Sequence, residues 1–121
     1  QGPEMVYHTI GIVSQEGGKA RYTPITSIGR EWYNTGGSID IILDKSQKVE
    51  FFYHNSRENE MECVSCEIKD LPARPPKTTR MHIQVQFTSQ TEGVILLTDQ
   101  GFGSLFPGTG KVTVFPFTLI S

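Results

Sequence analysis

Hydrophobic and polar residues alternate along much of this chain with the period of two that is typical of β-strands. The alternation is cleanest across Arg80–Thr88, where Met81, Ile83, Val85 and Phe87 occupy every second position. Side chains at every second position of a strand lie on one face of a sheet, so these residues are predicted to face a core. No long segment has the period of an amphipathic helix. The pattern therefore predicts an all-β protein.

Clusters of Gly, Pro, Asn, Asp and Ser divide the β-rich pattern into short strands. The predicted strands are Met5–Val13, Lys19–Ile28, Ser38–Leu43, Lys48–His54, Met61–Ile68, Arg80–Thr88, Val94–Thr98 and Val112–Leu119. The turn Ser14–Gly18 predicts a hairpin between the first two, and the polar turn Asp44–Gln47 predicts a second hairpin between Ser38–Leu43 and Lys48–His54. Pro116 cannot donate a ladder hydrogen bond, which places the last strand at a sheet edge or a bulge. The spacing favours an eight-stranded antiparallel β-sandwich.

The length of 121 residues allows one domain. Residues 4–121 are expected to form it, as a fragment of a longer protein, and Gln1-Gly2-Pro3 is interpreted as the remnant of a cleaved tag. The 11 basic and 13 acidic residues are dispersed, so no basic stripe indicates binding to nucleic acid. No apolar run approaches the roughly 18 residues needed to span a bilayer, so no membrane partner is expected.

The two cysteines, Cys63 and Cys66, raise the question of a metal or redox site. They are three residues apart in a predicted strand, so they face opposite sides of the sheet and cannot bind one metal. The histidines His8, His54 and His82 are scattered, and no helix follows to lower a thiol pKa. Both cysteines are therefore predicted core residues with free thiols, which indicates a reducing, cytoplasmic location, and no metal or other cofactor is expected.

Two further features have alternative interpretations. Gly101–Lys111 is superficially similar to a phosphate-binding loop, but Val112 stands where that motif needs Ser or Thr, so a plain connection between strands is predicted. Trp32 and Tyr33 could form a sugar-stacking platform or close one end of the sandwich. No catalytic constellation is found, and the chain is not expected to be an enzyme.

A series of short motifs carries a resemblance over Thr9–Val114. The motifs are Ile10-Gly11-Ile12 followed by Gly17-Gly18, Tyr22-Thr23-Pro24-Ile25, Leu71-Pro72-Ala73-Arg74-Pro75-Pro76, Ile83-Gln84-Val85-Gln86-Phe87, Glu92-Gly93-Val94-Ile95-Leu96 and Gly108-Thr109-Gly110-Lys111. In this order they resemble the peptide-binding β-sandwich domain of the seventy-kilodalton heat-shock chaperones, the DnaK type. Cys63 and Cys66 stand near positions where that family has a core leucine and phenylalanine.

The resemblance implies binding of an extended apolar peptide rather than catalysis. In that family the peptide lies between the first two hairpin loops, here Ser14–Gly18 and Asp44–Gln47, and bonds to backbone while one apolar side chain enters a pocket. The residues implied at the pocket are Ile12, Ile39, Ile41, Val49 and Phe51, with Leu43 beside the arch over the peptide. The second implied partner is an ATPase domain in the parent chain.

Several residues depart from the family pattern. Gln15 or Glu16 stands where an apolar arch residue is expected, and an alternative register places Lys48 and Glu50 at the pocket. Lys77-Thr78-Thr79 replaces a glycine after the proline-rich loop, and neither a linker before His8 nor a lid after Ser121 is recognisable. Two alternatives to peptide binding therefore stay open: a regulatory domain that docks on an ATPase domain or a folded partner, and a carbohydrate-binding module that uses Trp32 and Tyr33.

Overall fold

The computed structural model describes residues 4–55 and 61–119, which form β-strands and one short 3-10 turn. The strands are β1 (Met5–Val6), β2 (His8–Glu16), β3 (Lys19–Pro24), β4 (Arg30–Glu31), β5 (Gly37–Leu43), β6 (Lys48–Asn55), β7 (Met61–Glu67), β8 (Thr79–Phe87), β9 (Glu92–Phe102), β10 (Phe106–Pro107) and β11 (Val112–Thr118). The 3-10 turn spans Trp32–Asn34. All of the strand pairings are antiparallel, so the all-β prediction is confirmed. Within the described residues no helix has the length and apolar character needed to cross a membrane.

The longer strands form two sheets. Sheet I has the order β3-β2-β6-β7. Sheet II has the order β5-β8-β9-β11, and β10 pairs with the end of β9 beyond β11. A two-residue ribbon, β1 with β4, forms the remaining pairing. β11 is an edge strand among the described residues, as Pro116 predicts.

One core fills the space between the two sheets. Sheet I contributes Phe51, which is 0% exposed, and sheet II contributes Ile83 and Leu97, which are also 0% exposed. At one end of the core, the rings of Phe87 and Phe117 meet edge to face with centroids 5.3 Å apart. The strict alternation of buried and less buried residues along β8 produces this packing, because every second side chain points inward.

The second predicted hairpin is wrong. β5 does not pair with β6: β5 pairs with β8 in sheet II, whereas β6 pairs with β2 and β7 in sheet I. The connection Asp44–Gln47 therefore crosses from one sheet to the other. Stacked sheets lie about 10 Å apart, a distance that four residues of extended chain can span, so the same short polar segment suits a hairpin or a crossing.

Several strand boundaries also differ from the prediction. β2 ends at Glu16 rather than at Val13, and β9 spans Glu92–Phe102 rather than Val94–Thr98. The first predicted strand is interrupted at Tyr7 into β1 and β2, and the second ends at Pro24 rather than at Ile28. After Pro24 the contact with β2 continues in altered form, since Ile25 N donates to Ile10 O at 2.7 Å while the Thr26 hydroxyl, not a backbone carbonyl, accepts from Ile10 N at 2.9 Å. The glycines of the first predicted turn, Gly17 and Gly18, have positive φ, and the predicted β2–β3 hairpin is confirmed.

Candidate functional site

The most open feature of sheet I is the place where β2 and β6 separate. The two strands pair only from His8–Gly11 to Phe52–Asn55. Beyond that point β2 continues to Glu16 paired with β3, and β6 is paired with β7 from Lys48 onward. In the described part of the chain, no strand occupies the gap between these two segments. Each segment therefore has one backbone edge that faces the gap.

A groove of about 530 Å³ occupies this gap. Its third side is the end of β5, which pairs with β8 on one edge and with no other strand of the described chain on the other. The buried side chains in it are Leu43 and Val49, and Ile12 and Ile41 are half-buried. The complete lining consists of Ile12, Val13, Gln15, Ile41, Ile42, Leu43, Asp44, Ser46, Lys48, Val49, Glu50 and Phe52.

The structure brings most of the predicted site residues together. Ile12, Ile41, Leu43 and Val49 all line the groove. Phe51 does not, because it is 0% exposed and points between the sheets as a core residue. The other exception, Ile39, is half-buried, packs against the core and lies opposite Ile83 on β8. Four of the six predicted site residues thus line the groove, whereas Phe51 belongs to the core and Ile39 packs against it.

The groove also contains residues that the prediction missed. Val13, Ile42 and Phe52 point away from the core on their strands and still line the groove, because it cuts across the strand ends and touches both faces. The alternative register had named Lys48 and Glu50, and both line the groove next to Val49. No signal in the sequence marks these residues, because the groove depends on where β2 and β6 separate. That separation is set by pairing between residues more than 30 positions apart.

The rim of the groove is polar and mixed in charge. Asp44, Lys48 and Glu50 are exposed and contribute charges of both signs. Glu50 is engaged from β7, where the Cys63 thiol lies 4.0 Å and the Ser65 hydroxyl 3.5 Å from its Oε2. A mixed rim over an apolar floor suits a ligand with apolar side chains and suits a phosphate chain poorly.

The two cysteines have different environments. Cys66 is 1% exposed in the core, as predicted, whereas the prediction for Cys63 is wrong because its side chain is exposed on the outer face of β7. Both thiols are free. Local burial and the neighbouring Glu50 carboxylate raise the pKa of the Cys63 thiol, and burial raises the pKa of Cys66. A raised pKa disfavours the thiolate, which is the reactive form.

The aromatic pair Trp32 and Tyr33 lies outside the groove, on the 3-10 turn. Trp32 is half-buried against the core, and Tyr33 is 56% exposed. Their rings are nearly perpendicular, with an interplanar angle of 88° and centroids 5.2 Å apart. Two perpendicular rings do not form one flat stacking platform, and Trp32 packs against the core while Tyr33 is exposed.

Outside the groove lining, a buried ion pair joins the proline-rich loop to β9. The Nη1 and Nη2 atoms of Arg74 donate to Oδ1 and Oδ2 of Asp99, each at 2.9 Å, and these side chains are 5% and 1% exposed. The guanidinium, together with the amides of Thr109 and Gly101, lowers the pKa of Asp99 well below its usual range. This pair connects the proline-rich loop with β9, and Thr109 of the glycine-rich segment donates to the same Asp99 carboxylate. The prediction of a plain connection over Gly101–Lys111 is wrong in part, because this segment includes the end of β9 and all of β10.

Metal ligation is not evident in the described residues, where no three His, Cys, Asp or Glu side chains form a group able to hold an ion. Every buried polar side-chain atom of the described chain also has a hydrogen-bond partner. The groove itself presents backbone edges of β2 and β6 and an apolar floor.

The fold and the groove define this chain as a β-sandwich domain that is open between two strands of one sheet. The chain belongs to the family DUF8552, a domain of unknown function, whose family model matches residues 5–119. Comparison with curated proteins and with solved structures found no match to the chain.

Proposed function

We propose that this domain binds an extended segment of polypeptide in the groove between β2 and β6. The observation that carries the proposal is the separation of these strands after Gly11 and Phe52, which leaves backbone edges beside an apolar floor. An extended peptide can hydrogen-bond to such edges while its alternate side chains enter the groove. Backbone bonding gives affinity for many sequences, and the apolar floor selects the side chain that enters.

The geometry is suited to one or two apolar side chains. Val49 and Leu43 form a buried base, while Ile12 and Ile41 form its half-buried walls. A leucine or isoleucine side chain that enters would exchange water for these contacts, which is worth about 1.5–3 kcal/mol when burial is complete. The rest of the affinity would come from backbone hydrogen bonds, so we expect dissociation constants on the order of micromolar.

The sequence resemblance supports the same site independently. It places the peptide between two loops, here Ser14–Gly18 and Asp44–Gln47, and the groove is bounded by the strands that lead into these loops. Under this proposal the domain is the peptide-binding part of a chaperone-like, cytoplasmic protein, and it performs no catalysis itself.

A fluorescent heptapeptide with a central leucine tests the proposal by anisotropy titration. Ile42→Asp is expected to weaken binding at least about tenfold, because a carboxylate at the groove must stay hydrated or reject the apolar side chain. Ile42 is 52% exposed, so the variant should fold. The matched control is Ile28→Asp, since Ile28 is 45% exposed and lies outside the groove.

Two results would contradict peptide binding in the groove. One is that the folded wild-type domain binds no peptide from a varied apolar panel at high micromolar concentration. The other is that Ile42→Asp and Ile28→Asp weaken binding equally. Thermal melts of both variants must match that of the wild type for the comparison to hold.

A second candidate function, docking on a folded partner such as a parent ATPase domain, is favoured by a different surface. Val112 and Val114 on β11 are 48% and 56% exposed, and Leu105 in the turn between β9 and β10 is 85% exposed. If an ATPase domain of the parent protein is added separately, docking should shift the amide resonances of Val112 and Val114, and Val114→Asp should abolish those shifts. Shifts confined to groove residues such as Ile12 would contradict this docking surface.

A further inference from the structure

One wall of the groove depends on the segment that follows β7. The crossing loop Asp44–Gln47 supplies this wall through Asp44 and Ser46, and backbone hydrogen bonds hold both ends of the loop. At one end Lys77 N donates to Leu43 O at 3.0 Å, and at the other Ile68 N donates to Gln47 O at 2.8 Å. Lys77 and Ile68 flank the proline-rich loop, residues 69–76, so the position of the wall is tied to that loop.

The proline-rich loop has no strand pairing of its own in the described structure. Arg74 anchors it, because its guanidinium donates to four acceptors on other segments. Besides the two Asp99 oxygens, Nη1 donates to the Thr79 hydroxyl at 3.0 Å and Nη2 to Pro107 O at 3.1 Å. A single planar cation thus connects the loop to β8, β9 and β10.

Asp99 is held equally firmly from the opposite side. Its Oδ1 accepts from Gly101 N at 3.0 Å, and its Oδ2 accepts from the Thr109 amide at 3.1 Å and the Thr109 hydroxyl at 2.9 Å. Its own backbone pairs with Lys111 O and Gly110 N at 3.0 Å each. A second tie, Lys111 to Asp70, is exposed at both ends and so contributes little. The Arg74–Asp99 pair is therefore the main polar anchor of the loop.

We propose that Arg74 and Asp99 are positioning residues for the groove: they hold the proline-rich loop, which holds the Asp44–Gln47 wall and so sets how fast a bound peptide is released. This proposal rests on the proposed function of the groove. Neither residue lines the groove, and neither would touch the peptide. Loosening the anchor should increase the dissociation rate and leave the association rate nearly unchanged, because the open groove remains accessible.

Amide hydrogen exchange tests the wall directly, without any peptide. Arg74→Lys keeps the charge but cannot reach all four acceptors, so exchange at Lys77 N and Ile68 N should accelerate about tenfold beyond the change in global stability. Thr79→Val, a nearly isosteric change that removes one acceptor, should act in the same direction but less. The control is Phe117→Leu at the opposite end of the core, which lowers global stability and should leave the relative exchange of these two amides unchanged.

Peptide kinetics provide the second measurement. With the leucine heptapeptide, Arg74→Lys should increase the dissociation rate about tenfold while the association rate stays within about twofold. If exchange at Lys77 N and Ile68 N follows only global stability in both Arg74→Lys and Thr79→Val, the proposal is overturned. If the wild type binds no peptide, the proposed function fails instead, and the exchange result alone decides whether the pair positions the wall.

Discussion

The pairs β8–β9 and β2–β6 illustrate two uses of adjacent antiparallel strands. β8 and β9 stay together from Phe87 and Gly93 to Arg80 and Gly101, with one irregularity at the end. β2 and β6 pair over only four positions and then separate. Both pairs place large apolar residues between the sheets, so the difference does not come from burial alone.

The comparison teaches that strand continuation and strand pairing are separate properties. β2 remains a strand after Gly11 because β3 pairs with its other edge, and β6 remains one because β7 does the same. An outer partner can thus maintain an extended segment whose inner edge is free. Free edges are normally an aggregation hazard, and the two beside the apolar floor are the feature on which the proposed peptide binding rests.

The largest expected difference in stability is between a substitution in the continuous β8–β9 pair and one in the groove between β2 and β6. Leu97→Ala, at a fully buried position of β9, should lower the free energy of unfolding by about 3 kcal/mol through lost contacts and a cavity. Ile12→Ala, at the half-buried groove wall, should cost about 1 kcal/mol because water already reaches the site. Urea denaturation measures both. Equal losses would mean that the groove is closed in solution.

Acid should weaken the ion pair between Arg74 and Asp99, which ties the proline-rich loop to β9. The folded-state pKa of Asp99 is lowered by Arg74, so its stabilisation is present above the unfolded-state value of about 3.9 and is lost as the pH falls below it. Asp99→Asn should cost on the order of 2 kcal/mol at neutral pH and flatten the acid dependence of the free energy of unfolding. Asp70→Asn, whose side chain is 74% exposed, is the control and should change little. An unchanged acid dependence in Asp99→Asn would argue against the buried pair.

Cys66 lies on the inner face of sheet I and Cys63 on its outer face, so substitutions at the two positions compare these faces. Cys66→Ala should lower the free energy of unfolding by about 1 kcal/mol as a small core truncation, and Cys63→Ala should change it by less than about 0.5 kcal/mol. In the native protein a thiol reagent should label Cys63 alone, with Cys66 reacting only on unfolding. Equal protection of both thiols would show that the outer face of β7 is covered.

Lys77 offers the smallest and most local test, at the residue that holds the groove wall. Its φ of 65° lies in the left-handed region, where glycine is preferred, and the sequence has Lys77 near the position where a glycine is expected from the family resemblance. Lys77→Gly should raise the free energy of unfolding by about 0.5–1 kcal/mol. Lys45→Gly in the wall itself is the control and should not stabilise, because Lys45 has no positive φ. A loss of stability in Lys77→Gly would show that the lysine side chain contributes more than the strain costs.

Local sequence pattern predicted the strands better than their partners. Arg80–Thr88 could be assigned because its alternation of apolar residues is a property of the strand alone. The hairpin between β5 and β6 was wrong because a short polar connection is compatible with two topologies, and only the pairing of β5 with β8 decides between them. Phe51 was assigned to the pocket by the family resemblance, and alternation could not correct this, since it shows that a residue points inward but not whether that interior is core or groove.

The sequence by itself determined the fold class, the positions of most of the strands and which face of each is apolar, because these depend on neighbours two residues apart. Tertiary structure alone decided where β2 and β6 separate and that Arg74 meets Asp99, which lies 25 residues away. The groove exists because the pairing of β2 with β6 ends at Gly11 and Phe52, whereas β2 stays paired with β3 and β6 with β7 beyond those residues. β3 and β7 keep the separated segments extended from their outer edges, and no local pattern records where the inner pairing ends.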